Sequence, residues 1–227
     1  MVLHYILALL LAPLLAFLTV GLIWKKRGRD RYPGIINSFI MGALSIVIVL
    51  LFMFIARKYG LDVFANIRRI VFYSFVVMGF GSEFGKYLVL RYGLFNKEGF
   101  NGPLDGIVYS VIISMGFAFA GNILYFFLPW YTEVDLMYAY TVVIANLFFA
   151  VIMGFFVGMG KSRENKFVDS MTGLFGASFF HALYNFCFIT NDMRLLLFFS
   201  IGSFVIVILL YYKAFELNEE FKRIKNE

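Results

Sequence analysis

No disulfide can form within this chain, because its 227 residues include a single cysteine, Cys187. That cysteine lies in an apolar run and says nothing about the redox compartment. Internal repeats, low-complexity tracts and linkers are also missing, so the sequence does not read as a string of tethered modules. Charge is scarce, with Lys, Arg, Asp and Glu together making up 15% of the residues. The net charge of +6 does not point to nucleic acid, since the basic residues gather in short loops of the kind that orient membrane proteins.

Apolar residues are abundant. A hydrophobic share of 62% and a mean hydropathy of +0.84 exclude an ordinary soluble domain. Thirty Phe and fourteen Tyr suit surfaces that meet lipid and its interfaces. The expected fold class is all-α, a polytopic integral membrane helix bundle with membrane lipid as its solvent. A span needs about 20 mostly apolar residues. Seven such spans are read at 3–24, 35–56, 70–92, 104–129, 137–159, 171–190 and 194–213. They form a single transmembrane domain, 1–213, followed by a short amphipathic tail, 214–227, expected to lie on the cytoplasmic surface.

No basic residue precedes the first apolar run, and a basic cluster follows it, which reads as a retained anchor with its N-terminus outside. The loop "WKKRGRDRYPG" carries Lys25, Lys26, Arg27, Arg29 and Arg31 and is expected to be cytoplasmic. By alternation Lys161, Arg163 and Lys166 fall on the same side, as do Lys213, Lys222, Arg223 and Lys225 of the tail. The loops "YTEVD" and "TND" hold no Lys or Arg. One loop dissents: "RKYGLDVFANIRR" has basic residues at Arg57, Lys58, Arg68 and Arg69 yet falls outside, which leaves a re-entrant or interfacial segment open there.

An ionisable group at mid-membrane costs roughly 2.5–3.5 kcal/mol on insertion scales, so such groups face the bundle interior and are functional candidates. The third span offers Glu83 and Lys86 with Ser82 beside them. The fourth has Asn122, the fifth Asn146, and the sixth His181 and Asn185. Residues three or four apart share a helix face, so Glu83 and Lys86 point one way, as do His181 and Asn185. Bringing these faces together makes one polar centre. A Glu with a His can activate water as a general base. A metal site needs at least three good ligands, and this set has one carboxylate and one imidazole among amides, so no metal or other cofactor is expected. The structural alternative is that Glu83 pairs with Lys86 and the amides tie helices together. Asp105, after Pro103, is expected to cap the fourth span. Patches such as "GFGSEFG" and "MGFFVGMG" are expected to let helices approach closely.

In order along the chain stand "SEFGKYLVLR", "FNGPLDGIVYSVIISMGFAFAGNILY", "AVIMGFFVGMGK" and "HALYNF". Together they resemble the PrsW family of intramembrane proteases, known for cutting a membrane-spanning anti-sigma factor and distantly similar to CAAX-processing and bacteriocin-processing membrane endopeptidases. The resemblance covers residues 70–190 and implies a bacterial inner-membrane protein. It also implies departures. The family's Glu-Glu-x-x-Lys motif keeps Glu83 and Lys86 but has Ser82 for its first acid. Its Glu-Pro-x-Asp-Gly loop reads Gly102-Pro103-Leu104-Asp105-Gly106, and its Glu-Asn pair, with Tyr two further on, reads Gly121-Asn122 with Tyr125 downstream. Asn146 stands at a family histidine, and Asn185 follows the retained His181 where close relatives often have Asp.

Three functions follow from the resemblance and the residues. In the first, the chain has lost protease activity and serves as a helix-binding regulator, chaperone or accessory subunit with a transmembrane protein partner. In the second, it cuts a membrane-anchored substrate, with Glu83 as general base, His181 assisting and Lys86 orienting Glu83. A transporter is the third, disfavoured because no repeated halves or paired broken helices are seen.

Overall fold

The structure, a computed structural model, describes residues 2–27, 34–97, 100–127, 135–161 and 163–226. Every regular element among them is helical. The chain runs α1 (Val2–Arg27), α2 (Ile35–Leu44), α3 (Ile46–Lys58), α4 (Ile67–Phe72), α5 (Gly81–Leu88), α6 (Pro103–Phe127), α7 (Leu136–Met159), α8 (Lys166–Ile189) and α9 (Met193–Asn226). Among the described residues, six stretches are long and apolar enough to cross a membrane: Leu3–Leu22, Ile35–Lys58, Pro103–Phe127, Leu136–Met159, Lys166–Ile189 and Met193–Glu220. The all-α polytopic bundle expected from composition is therefore present.

Two of the seven expected spans are built differently from plain helices. The second is one rod bent at Ser45, whose hydroxyl turns back to donate to the Gly42 carbonyl at 2.6 Å. The third is continuous from 67 to 94 but alternates, with α4 followed by a π-helical stretch at Tyr73–Phe80, then α5, then a π-helical stretch at Val89–Leu94. Wider turns of this kind cluster at functional sites, and here they flank the short helix that carries Glu83 and Lys86.

The loop left open as re-entrant or interfacial is a short non-helical connection over residues 59–66. The N–H groups of Gly60 and Leu61 close α3 onto the Arg57 and Ala56 carbonyls, with Gly60 at φ +64°. Asn66 then caps α4 through the Arg69 N–H at 3.1 Å, and the Arg69 guanidinium donates back to the Gly60 carbonyl at 2.8 Å. Nothing in residues 59–66 is helical. Much of the basic loop after α1, and most of "YTEVD", lie outside the described residues. At the other end α9 continues unbroken past residue 213 to Asn226.

The core sits on α6, a deeply buried helix flanked by α7, α2 and α1. Its crossing with α7 is made by two small-residue pairs, Gly102/Gly106 and Gly154/Gly158. A Cβ at Gly106 would overlap the Gly154 carbonyl, and one at Gly158 would overlap Gly102 and Pro103. The expectation drawn from "MGFFVGMG" holds at these positions. Asp105 departs from its expected place. Pro103 occupies the first helical position, so Asp105 is inside the first turn and cannot be the cap. Its Oδ2 reaches back to accept from the Asn101 N–H at 3.0 Å, tying the incoming loop to the helix start.

Candidate functional site

Four of the singled-out residues meet in one buried hydrogen-bonded group. On α5, Lys86 Nζ donates to Glu83 Oε1 at 2.5 Å, one helical turn away. It also donates across the bundle to Asn146 Oδ1 on α7, at 2.8 Å. From α8, His181 Nδ1 lies 2.6 Å from the same Glu83 oxygen. Glu83 and Lys86 are 0% and 1% exposed. Each charge therefore has its partner inside, as burial in a low-dielectric interior demands.

Packing fixes each member. Asn146 turns its own amide onto the Val142 carbonyl one turn back, at 2.8 Å, which aims its oxygen at Lys86. The face of the Phe117 ring lies 4.8 Å from the ammonium, adding a cation–π contact. His181 stacks on Phe149 with ring centroids 4.8 Å apart. The second Glu83 oxygen, Oε2, is buried and has no hydrogen-bond partner among the described residues.

Ser82, Asn122, Asn146 and His181 line a cavity of about 80 Å³ beside this group. Asn122 also ties α6 to its neighbours, its amide donating to the Ala8 carbonyl at 3.2 Å and the Ala139 carbonyl at 3.0 Å. Asn185 does not join Glu83. It sits a turn beyond His181, donating to that residue's carbonyl at 3.0 Å and accepting from the Tyr138 hydroxyl at 3.4 Å. Pro103, Asp105 and Gly106 lie at the opposite end of α6 from the cavity residue Asn122, at the crossing with α7. Tyr125, at the far end, accepts from the Asp135 N–H at 2.9 Å and lines the cavity.

Sequence reasoning missed the aromatic wall, which consists of Phe117, Phe149 and Tyr138. Phe149 follows Asn146 by three residues and so shares its helix face, a signal that was available. A second space, an apolar groove of about 600 Å³ between α7, α8 and α9, is lined by Ile144, Phe148, Phe149, Phe180, Tyr184 and Phe204. Phe149 thus stands between that groove and His181.

A metal would need three convergent ligands, and no group of three or more His, Cys, Asp or Glu side chains with that potential is present among the described residues. The Lys86 ammonium and the His181 ring both sit on Glu83 Oε1, which leaves Oε2 as the one carboxylate oxygen of the group without a partner among the described residues. This donor set does not fit a tightly held metal ion.

A family profile described as PrsW family intramembrane metalloprotease matches residues 32–212. Among curated proteins, the chain is similar to "Protease PrsW" of Oceanobacillus iheyensis, 33% identical over 177 residues, covering 78% of this chain and 79% of that protein. It is 32% identical over 155 residues to "Protease PrsW" of Clostridioides difficile, covering 65% of this chain and 64% of that protein, just under two thirds of its length. Its identity with "Protease PrsW" of Bacillus subtilis is 26% over 156 residues, 69% of each chain. No solved structure matches.

Proposed function

The chain belongs to the PrsW family, and from that premise we propose that it is an intramembrane endopeptidase acting on a membrane-anchored protein. The observation that carries this reading is the Glu83–His181 pair. The two residues lie 98 positions apart in sequence, yet the bundle holds them 2.6 Å apart beside a cavity that Ser82, Asn122 and Asn146 also line. A carboxylate and an imidazole in that relation serve general-base attack of water on a peptide bond. The apolar groove behind Phe149 supports the approach of an apolar transmembrane segment from the side. We place the protein in a bacterial cytoplasmic membrane with its C-terminus inside, a reading supported by the basic clusters at Lys161, Arg163 and Lys166 and in the tail. The family description names a metalloprotease, but the side chains gathered among the described residues do not supply the three ligands a metal needs.

A second reading has its own observation. Lys86 sits on the Glu83 oxygen, and an amide, Asn146, closes the other side of the ammonium. A group sealed in this way suits a protein that binds a transmembrane helix without cutting it, as a regulator or accessory subunit. Co-expression with membrane-anchored reporter proteins separates the two. The endopeptidase reading expects a cut reporter with the wild type and an intact one with Glu83→Gln at equal protein abundance. An intact reporter that co-purifies equally with both would overturn that reading in favour of the second.

A further inference from the structure

The residue that faces the cavity is His181, and Glu83 stands behind it. Glu83 is fully buried and does not line the cavity, whereas His181 does. This arrangement reverses the roles that a lone buried carboxylate would suggest.

The proton positions follow from the hydrogen bonds. Glu83 Oε1 already accepts from the Lys86 ammonium, so Glu83 is the ionised partner and only accepts. The imidazole nitrogen facing that same oxygen, Nδ1, must then carry the ring proton and donate it. In neutral imidazole one nitrogen donates and the other accepts, which leaves Nε2 with its lone pair. Stacking on Phe149 holds the ring in this orientation.

Ser82 and Asn122 line the same cavity as His181. A buried water typically makes about three hydrogen bonds, and a space of about 80 Å³ has room for several waters. Met78, Tyr125 and Tyr138 line both this cavity and an outer pocket of about 300 Å³ that includes Asp135 at the start of α7.

We propose that His181 Nε2 is the catalytic base, that Glu83 positions it by holding the Nδ1 proton, and that Ser82 and Asn122 seat the water it deprotonates. Water reaches this seat past Tyr125 and Tyr138. The proposal deepens the endopeptidase reading and rests on it for the substrate alone. In the step, Nε2 takes a proton from water as the water oxygen bonds to the scissile carbonyl carbon. The tetrahedral adduct then collapses, the carbon–nitrogen bond breaks, and the Nε2 proton passes to the departing amine. One carboxylic acid and one amine result, and the imidazole is neutral again. Lys86 keeps Glu83 ionised throughout and is a positioning residue at one remove.

The test uses an unusual economy of this chain, which has only two histidines, His4 and His181. The full-length protein is labelled with ¹⁵N-histidine in lipid nanodiscs, and the His4→Gln variant assigns the two rings. At alkaline pH without substrate, His181 is expected to show a protonated, pyrrole-type Nδ1 and a bare, pyridine-type Nε2. The variant Glu83→Leu/Lys86→Met removes both charges together, so neither is stranded, and is expected to shift the proton toward Nε2. A wild-type spectrum with Nε2 protonated and Nδ1 bare overturns the proposal, even if the double variant fails to fold. So does a folded double variant with the wild-type tautomer. Because the spectrum is read without substrate, a wild type with a bare Nε2 that cuts no reporter overturns the endopeptidase reading and leaves the ring orientation standing.

Discussion

Replacing Lys86 with Met should destabilise the protein far more than replacing Lys86 and Glu83 together. Lys86 and Glu83 are 1% and 0% exposed, so neither reaches solvent to recover lost hydration. Removing the ammonium strands a buried carboxylate whose remaining partner is His181 Nδ1, and it orphans the Asn146 oxygen as well. Breaking a buried pair from one side costs about 3–5 kcal/mol, which is two to three and a half decades in the folding equilibrium. The opposite single variant, Glu83→Leu, should fall at the lower end of that range. Its stranded ammonium keeps the Asn146 oxygen at 2.8 Å and the Phe117 ring face at 4.8 Å. Taking out both charges leaves no ion to desolvate, and replacing buried pairs with apolar groups is often neutral or better. The assay is a double-mutant cycle read by unfolding in mixed micelles, with abundance followed in membranes. A double variant as unstable as the worse single one, or two single variants each costing under about 1 kcal/mol, would refute the account of a desolvated pair.

Gly154→Val should destabilise by about 1–3 kcal/mol through overpacking, because any Cβ there meets the Gly106 and Ile107 backbone; Gly21→Ala, with nothing within 4 Å, serves as the neutral control in the same thermal melt. Tyr125→Phe removes the acceptor of the Asp135 N–H and should cost about 0.5–1.5 kcal/mol, measured by the same melt. Cys187 is fully buried, so maleimide should label the folded protein only after SDS is added; prompt labelling in gentle detergent would contradict the packing of α8. If the wild type cuts a reporter, cleavage should persist in strong chelators, since the donor set around Glu83 and His181 is short of a metal site. Loss of cutting that zinc restores would overturn that count of ligands.

Long apolar stretches made most of the rods legible in advance, because span length and hydropathy are properties of single segments. The partnership of Glu83 with Lys86 was legible for the same reason, being set by helical spacing along one face. His181 and Asn146 joined that pair in the sequence reading only through the cost of leaving polar groups in lipid, and the bundle does bring both to it. The same reasoning failed for Asn185. Its amide had a nearer carbonyl one turn back on its own helix, and local backbone partners compete with distant ones. The π-helical stretches around α5 left no sequence signature, since they depend on how 67–94 packs on α8 and α3 rather than on local propensity. The aromatic wall was hidden in plain view. Among thirty Phe, the one beneath His181 looks like those that face lipid until Asn146 marks its helix face.

The glycine crossing and the polar centre are parts of one arrangement. α7 is clamped to α6 at one end by Gly154 and Gly158 against Gly106 and Gly102, and at the other by Asn122 on the Ala139 carbonyl. Asn146 and Phe149 lie between these two clamps, and they hold Lys86 and the His181 ring respectively. A polar group with partners at 2.5–2.8 Å tolerates little displacement, since supporting residues must keep such groups within about half an ångström. Backbone contact at the crossing supplies that rigidity more cheaply than side chains would, because glycine has no rotamers to order. The family-like motif residues around Pro103 and Gly106 therefore need no contact with substrate to matter for the site. They set the distance between α6 and α7, and that distance sets where Lys86 and His181 find their partners.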